Sequence, residues 1–94
     1  MDMPVISECR VEACAYNTEH TCHARAITVG DTHHAECETF FQIEAKGGDL
    51  AATGRVGACK MADCHHNVRF ECQAPGIVVG YAREDIDCLT YDPA

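Results

Sequence analysis

The stretch CRVEACAYNTEHTCHARAITVGDTHHAEC, residues 9–37, decides the reading of this chain, because its cysteine spacing returns in CKMADCHHNVRFECQAPGIVVGYAREDIDC, residues 59–88. Cysteines stand at Cys9, Cys14, Cys22 and Cys37, and again at Cys59, Cys64, Cys72 and Cys88. The gaps of four and then seven residues recur unchanged, and the third gap is fourteen in one copy and fifteen in the other. All eight cysteines of the 94-residue chain are used in this way. Outside them Asn17, Ala24, Ile27, Val29, Gly30 and Thr39 reappear as Asn67, Ala74, Ile77, Val79, Gly80 and Thr90. Identity at an offset of fifty, and of fifty-one for the threonines beyond the one-residue length difference, marks an internal duplication, and it predicts two units related by a pseudo-two-fold axis and sharing one core.

Each unit is only about forty residues, a size at which metal, disulfides or association must supplement the interior. The expected fold is therefore small, metal-stabilised and loop-rich, with short β-hairpins and at most short helical turns. Its two tandem repeats cover residues 1–41 and 56–94, joined by a connector over 42–55. The segment CRVEACAYN allows a turn or two of helix, after which Asn17 and Asn67 are expected to end the turn in the left-handed conformation. Ile27 and Val29, two apart before Gly30, have the period of a strand, as do Ile77 and Val79 before Gly80. Cys37 to Phe40 and Cys88 to Tyr91 supply a second extended segment, and a hairpin between the two would bring the third and fourth cysteines together. The one-residue length difference falls between glycine and last cysteine, so that stretch reads as a loop. Its acids Asp31, Glu36, Glu84, Asp85 and Asp87, with Glu38 just beyond, read as solvated charge. The connector carries Gly47, Gly48 and Gly54 and reads as partly flexible, with Ile43 and Leu50 packed. Phe40, Phe41 and Leu89 are expected to cover one another across the two units.

Four cysteines per unit match the ligand count of a tetrahedral zinc site, which when made wholly of thiolates is closed. Two zinc ions are the leading expectation, one on Cys9, Cys14, Cys22 and Cys37 and one on Cys59, Cys64, Cys72 and Cys88. Disulfides come next and an iron–sulfur cluster last, since neither copy has the gaps of two that the common cluster patterns use. The histidines His20, His23, His33, His34, His65 and His66 have no histidine counterparts across the repeat, so they read as surface residues. The pairs His33–His34 and His65–His66 are the choices for auxiliary ligands, should there be any. A closed site leaves no position for water or substrate, so no catalytic residue is expected and the protein reads as no enzyme. Cys14 near His20, or Cys64 beside His65, would be the nucleophile pairs to weigh, but their matched places in the repeat favour ligation.

Composition sets outer bounds. Hydrophobic residues make up 47% and charged residues 23%, which argues for a folded chain. Asp and Glu outnumber Lys and Arg by 15 to 7, for a formal charge of −8, and thiolates bound to zinc would add to it. Such a chain repels phosphate backbones, so nucleic acid is not an expected partner. No apolar run reaches the roughly eighteen residues of a membrane span, and the first residues lack a leader's basic and apolar regions. A cytoplasmic location follows as an expectation, with a protein partner of unknown identity. The function expected is that of an interaction module with structural zinc. The alternatives are a metal buffer or chaperone, in which the acidic surface and the histidines attract and hand over ions, and a redox protein with disulfides or an iron–sulfur cluster.

The order Cys9, Cys14, Tyr16, Asn17, Cys22, Ala24, Ile27, Val29 and then Cys37-Glu38-Thr39-Phe40 resembles a bacterial family known as domain of unknown function 1540, in which two copies per chain are common. The resemblance covers nearly the whole chain apart from its ends and the connector. The second copy departs from the pattern with His65-His66-Asn67 at the tyrosine-containing step and Tyr91 at the closing position. The resemblance implies a metal-binding cysteine set and assigns no activity.

Overall fold

The computed structural model describes residues 3–30 and 34–93; Asp31 and His33, singled out by sequence, lie outside them. Among the described residues nine short strands follow in order: β1 (Val5–Cys9), β2 (Asn17–Thr18), β3 (Thr21–Cys22), β4 (Ile27–Val29), β5 (Val56–Cys59), β6 (Asn67–Val68), β7 (Glu71–Cys72), β8 (Gly76–Ala82) and β9 (Asp85–Cys88). Among the described residues there is no helix, so the expected helical turns after Cys9 and Cys59 are plain turns. It follows that no helix among them is long and apolar enough to cross a membrane. The segments expected to be extended from Cys37 to Phe40 and from Cys88 to Tyr91 are turns as well, closed by Phe40 N to Cys37 O and Tyr91 N to Cys88 O, while most of the stretch between Gly80 and Cys88, expected to be a loop, is strand.

Each unit lends its first strand to the other. β1 runs parallel to β8, pairing Ile6 with Ile77 and Cys9 with Val79, while β5 runs parallel to β4, pairing Val56 with Ile27 and Cys59 with Val29. Both pairings slip by one residue, at Ser7 in β1 and at Gly57 in β5. The slip has a clear purpose. Side chains alternate along a strand, so Ile6 and Cys9, three apart, would face opposite ways; an extra unpaired residue turns both inward. Ile6, Cys9, Val56 and Cys59 are accordingly all buried.

Hydrogen bonds then close the strands into a ring. β8 pairs antiparallel with β9, residues 35–37 bridge to β9 through Glu36 and Asp87, and Cys37 bridges back to Val29 of β4. At the opposite side Ile6 N donates to Gly54 O (2.8 Å) and Val56 N donates to Pro4 O (3.0 Å). Cys37 N to Ile86 O and Cys88 N to Ala35 O, both 2.8 Å, make the second reciprocal pair. These two crossings lie on the pseudo-two-fold axis that the duplication predicts. Ile6, Val11, Ile27, Val29, Val56, Ile77 and Val79, each at most 3% exposed, fill the centre of the ring, so a single core serves both units.

The recurrent residues of the repeat have matched jobs. Asn17 and Asn67 do not adopt the left-handed conformation; the residues that do are Glu19 and His20 in one turn and Arg69 and Phe70 in the other. Two consecutive residues with φ near +60° form the tight turn that suits a two-residue hairpin. The asparagines instead clamp it: Asn17 Nδ2 donates to Cys9 O (2.8 Å) and His20 N donates to Asn17 Oδ1 (3.1 Å). Asn67 repeats this on Cys59 O (2.9 Å) and Phe70 N (3.0 Å). The hydroxyls of Thr39 and Thr90 accept from Thr28 N and Val78 N. Gly30 and Gly80 leave room where the other unit crosses: a Cβ would stand 3.1 Å from Lys60 Cβ in one case and 3.5 Å from Arg10 Cβ in the other.

Candidate metal centre

The topology brings each cysteine quartet to one place. Cys9 arrives on β1, Cys14 on the turn that follows, Cys22 on β3 and Cys37 on the bridge to β4; Cys59, Cys64, Cys72 and Cys88 arrive on the equivalent segments. The first four surround a cavity of about 20 Å³ walled by Ile6, Val11, Tyr16, Ile27 and Phe40 among others. The second four surround one of the same size, walled by Val29, Val56, His66, Ile77 and Tyr91 among others. That volume admits about one water-sized body. All eight thiols are free, with no sulfur bonded to another.

Backbone amides point at the sulfurs in the same way in both units. Cys22 Sγ accepts from Ala24 N–H and Cys72 Sγ from Ala74 N–H, two residues on in each case. Cys37 Sγ accepts from Thr39 and Phe40, and Cys88 Sγ from Thr90 and Tyr91. Asp92 N donates to Cys64 Sγ at 3.5 Å. Donors aimed at sulfur favour the thiolate over the thiol. Burial works the other way and wins: it pushes the Cys22 and Cys72 thiols up, and Cys37 and Cys88 up to about 11. Negative charge on the neighbouring cysteines adds to the rise, from Cys14 and Cys22 at Cys37 and from Cys72 and Cys59 at Cys88. A cation in the cavity would offset both the burial and the neighbouring charge at Cys22, Cys37, Cys72 and Cys88.

The donor set fits a thiophilic cation: four sulfurs around an ion-sized hole, amides directed at several of them, and an otherwise mainly apolar wall. The sulfurs surround the hole without converging on a single point. Among the described residues, no group of three or more His, Cys, Asp or Glu side chains is already arranged to hold a metal ion. Reaching a zinc–sulfur distance of about 2.3 Å therefore requires the thiols to swing inward about their side-chain bonds.

Most histidines stand away from the sulfurs. His20 Nε2 meets Glu12, His23 Nδ1 meets Ala52 O and His65 Nδ1 meets Asp92, so neither His20 nor His65 is turned onto the cysteine it follows in sequence. His34 Nδ1 lies 2.7 Å from Asp87 Oδ1, and Asp87 is 9% exposed. Asp87 is thus a buried, paired residue at the ring crossing and not solvated loop charge. His66 is the residue whose place the sequence discloses least: it lines the second cavity where Tyr16 lines the first. Its alignment with Tyr16, a wall residue, is the signal that points to it.

The connector is tied down rather than loose. Lys46 Nζ donates to Glu12 O (2.6 Å) and Cys14 O (3.0 Å), Gly47 N to Ala15 O (2.8 Å), Asp49 N to His23 O (2.9 Å) and Gly54 N to Cys22 O (2.6 Å). Ile43 and Leu50 do not pack; they are 56% and 67% exposed. Phe41 meets Tyr16 of its own unit edge-on at 5.2 Å, and Leu89 lies over Gly80, so these side chains do not form the expected cover across units.

Neither the comparison with curated proteins nor that with solved structures gives a match. The comparison with family profiles does, twice and in tandem, over residues 8–40 and 58–91, the two segments that carry the quartets. The chain belongs to the family described as Domain of Unknown Function (DUF1540).

Proposed function

We propose that the protein is a small zinc-binding protein, with one ion in each quartet, and that it serves as an interaction module rather than an enzyme. Membership of the family, with eight cysteines in two repeats, is consistent with a small metal-binding domain. The observation that carries the reading is the matched pair of ion-sized cavities, each ringed by four free thiols. Zinc suits four sulfur donors, and its binding to such sites contributes folding free energy on the order of 10 kcal/mol. That exceeds what a forty-residue unit gains from its own core. Four thiolates close the coordination sphere, which supports a structural ion and leaves no place for a substrate. The acidic surface favours a protein partner over nucleic acid, and the unbridged thiols suit a reducing compartment such as the cytoplasm.

The test is the intact mass of natively purified protein, under native and denaturing conditions, together with circular dichroism. Two zinc ions per chain and loss of structure on chelation are expected, and Cys22→Ser should leave one ion. A mass lower by about two protons per bridge, bound iron, or dichroism indifferent to zinc removal would overturn the reading.

A further inference from the structure

The quartets are alike in spacing and unlike in surroundings. All four thiols of the first are buried, whereas in the second Cys59 and Cys64 are buried and Cys72 and Cys88 only half-buried. The connector makes the difference. Residues 46–54 are bonded across the first site, ending with Gly54, whose position leaves no space above Cys22: a Cβ there would stand 2.6 Å from Cys22 Sγ. The ring crossing matches Gly54 with Pro4, and proline has no N–H with which to hold the Cys72 carbonyl as Gly54 holds that of Cys22. The wall differs as well. Tyr16, braced by Phe41, lines the first cavity with a phenol ring, while at the matched place the imidazole of His66 lines the second without an aromatic brace, since Asp92 stands where Phe41 would.

Building on the reading that each quartet holds a zinc ion, but giving the second ion a labile role in place of a purely structural one, we propose that the second quartet is an exchange site, through which the protein passes a thiophilic divalent cation to and from acceptors in solution, while the first keeps its ion. Exchange needs an incoming donor to reach a bound sulfur. Cys72 and Cys88, both partly exposed, offer that access. Each released thiolate takes a proton from water as one donor of the acceptor replaces one sulfur, and no electrons move. At His66 the second cavity lacks the aromatic pair that Tyr16 and Phe41 make at the first. Cys22 is shut away from the same attack beneath Gly54, and Cys37 is buried.

The test uses the full chain loaded with two zinc ions and a chromogenic chelator as acceptor. Release in two phases of one ion each is expected, the faster by about tenfold to a hundredfold, the range over which groups around a metal tune its hold. Iodoacetamide added after the fast phase should label Cys59, Cys64, Cys72 and Cys88 and spare the other four, which assigns the phase without any variant. His66→Tyr should still bind two ions and should slow the fast phase toward the slow one. A single phase, equal labelling of the two quartets, or label on the first quartet alone would overturn the asymmetry and leave the zinc reading standing. A chain that takes up no zinc overturns both.

Discussion

A methyl group on Gly54 would fall 2.6 Å from Cys22 Sγ and 3.0 Å from Ala24 O. A free thiol could turn away from it; a sulfur fixed on an ion could not. Gly54→Ala is therefore expected to weaken the first site selectively, with a cost typical of overpacking, about 1–3 kcal/mol, in the zinc-loaded protein. Gly47→Ala is the control, since a Cβ there meets nothing within 4 Å and its φ is not positive. Chemical denaturation with zinc present would check the pair, and equal stabilities would contradict a ligand role for Cys22. Recurrence in the sequence is enough to single out Asn17, Gly30 and Thr39 as structural. It does not say how they act: the asparagine is legible as a turn residue, but its grip on the Cys9 carbonyl depends on a strand eight residues earlier.

At the scale of elements, β4 and β8 are legible from their β-branched pairs ahead of glycine, but their partners are not. The strand or bridge that meets them ends at Cys37 or Cys88 instead of starting there, and the small hairpins β2–β3 and β6–β7 carry no such mark. The exchange of β1 and β5 between units is not legible either, since local pattern is silent on which distant edge a strand will join. The same holds for the one-residue slips at Ser7 and Gly57, which reconcile a three-residue spacing with a shared inward face. This exchange has a consequence for autonomy. Each half offers its first strand to the other's hairpin and buries Ile6 or Val56 in the common centre, so neither half retains a core when separated. Separate peptides spanning 1–53 and 54–94 should each give poorly dispersed amide spectra even with zinc, and mixing them should restore dispersion. A half that is well dispersed alone would show that the ion by itself organises a unit and that the ring is secondary.

Across the whole molecule, the duplication and both quartets can be read from spacing, whereas the inequality of the two sites cannot. Nothing in the connector's composition says that Lys46, Gly47, Asp49 and Gly54 will bind beside the first quartet while Cys72 and Cys88 of the second stay partly exposed. The molecule's proton balance follows from both sites together. Burial holds Cys22, Cys37, Cys72 and Cys88 above the ordinary thiol range, the second and fourth at about 11, so at neutral pH these four carry protons in the metal-free protein. A thiolate-bound ion must displace them, two at each site. Zinc uptake should then release at least about two protons per ion, and the apparent affinity should fall by at least about two decades for each unit by which pH is lowered near neutrality. The sign is fixed: protons compete with the cation for sulfur, so acid empties the sites and with them unfolds the ring, while mild alkali tightens binding. Titration calorimetry in buffers of different ionisation enthalpy counts those protons directly. Fewer than about one proton per ion would mean that the cation sits on imidazole or carboxylate groups instead, because those are already free to bind at neutral pH.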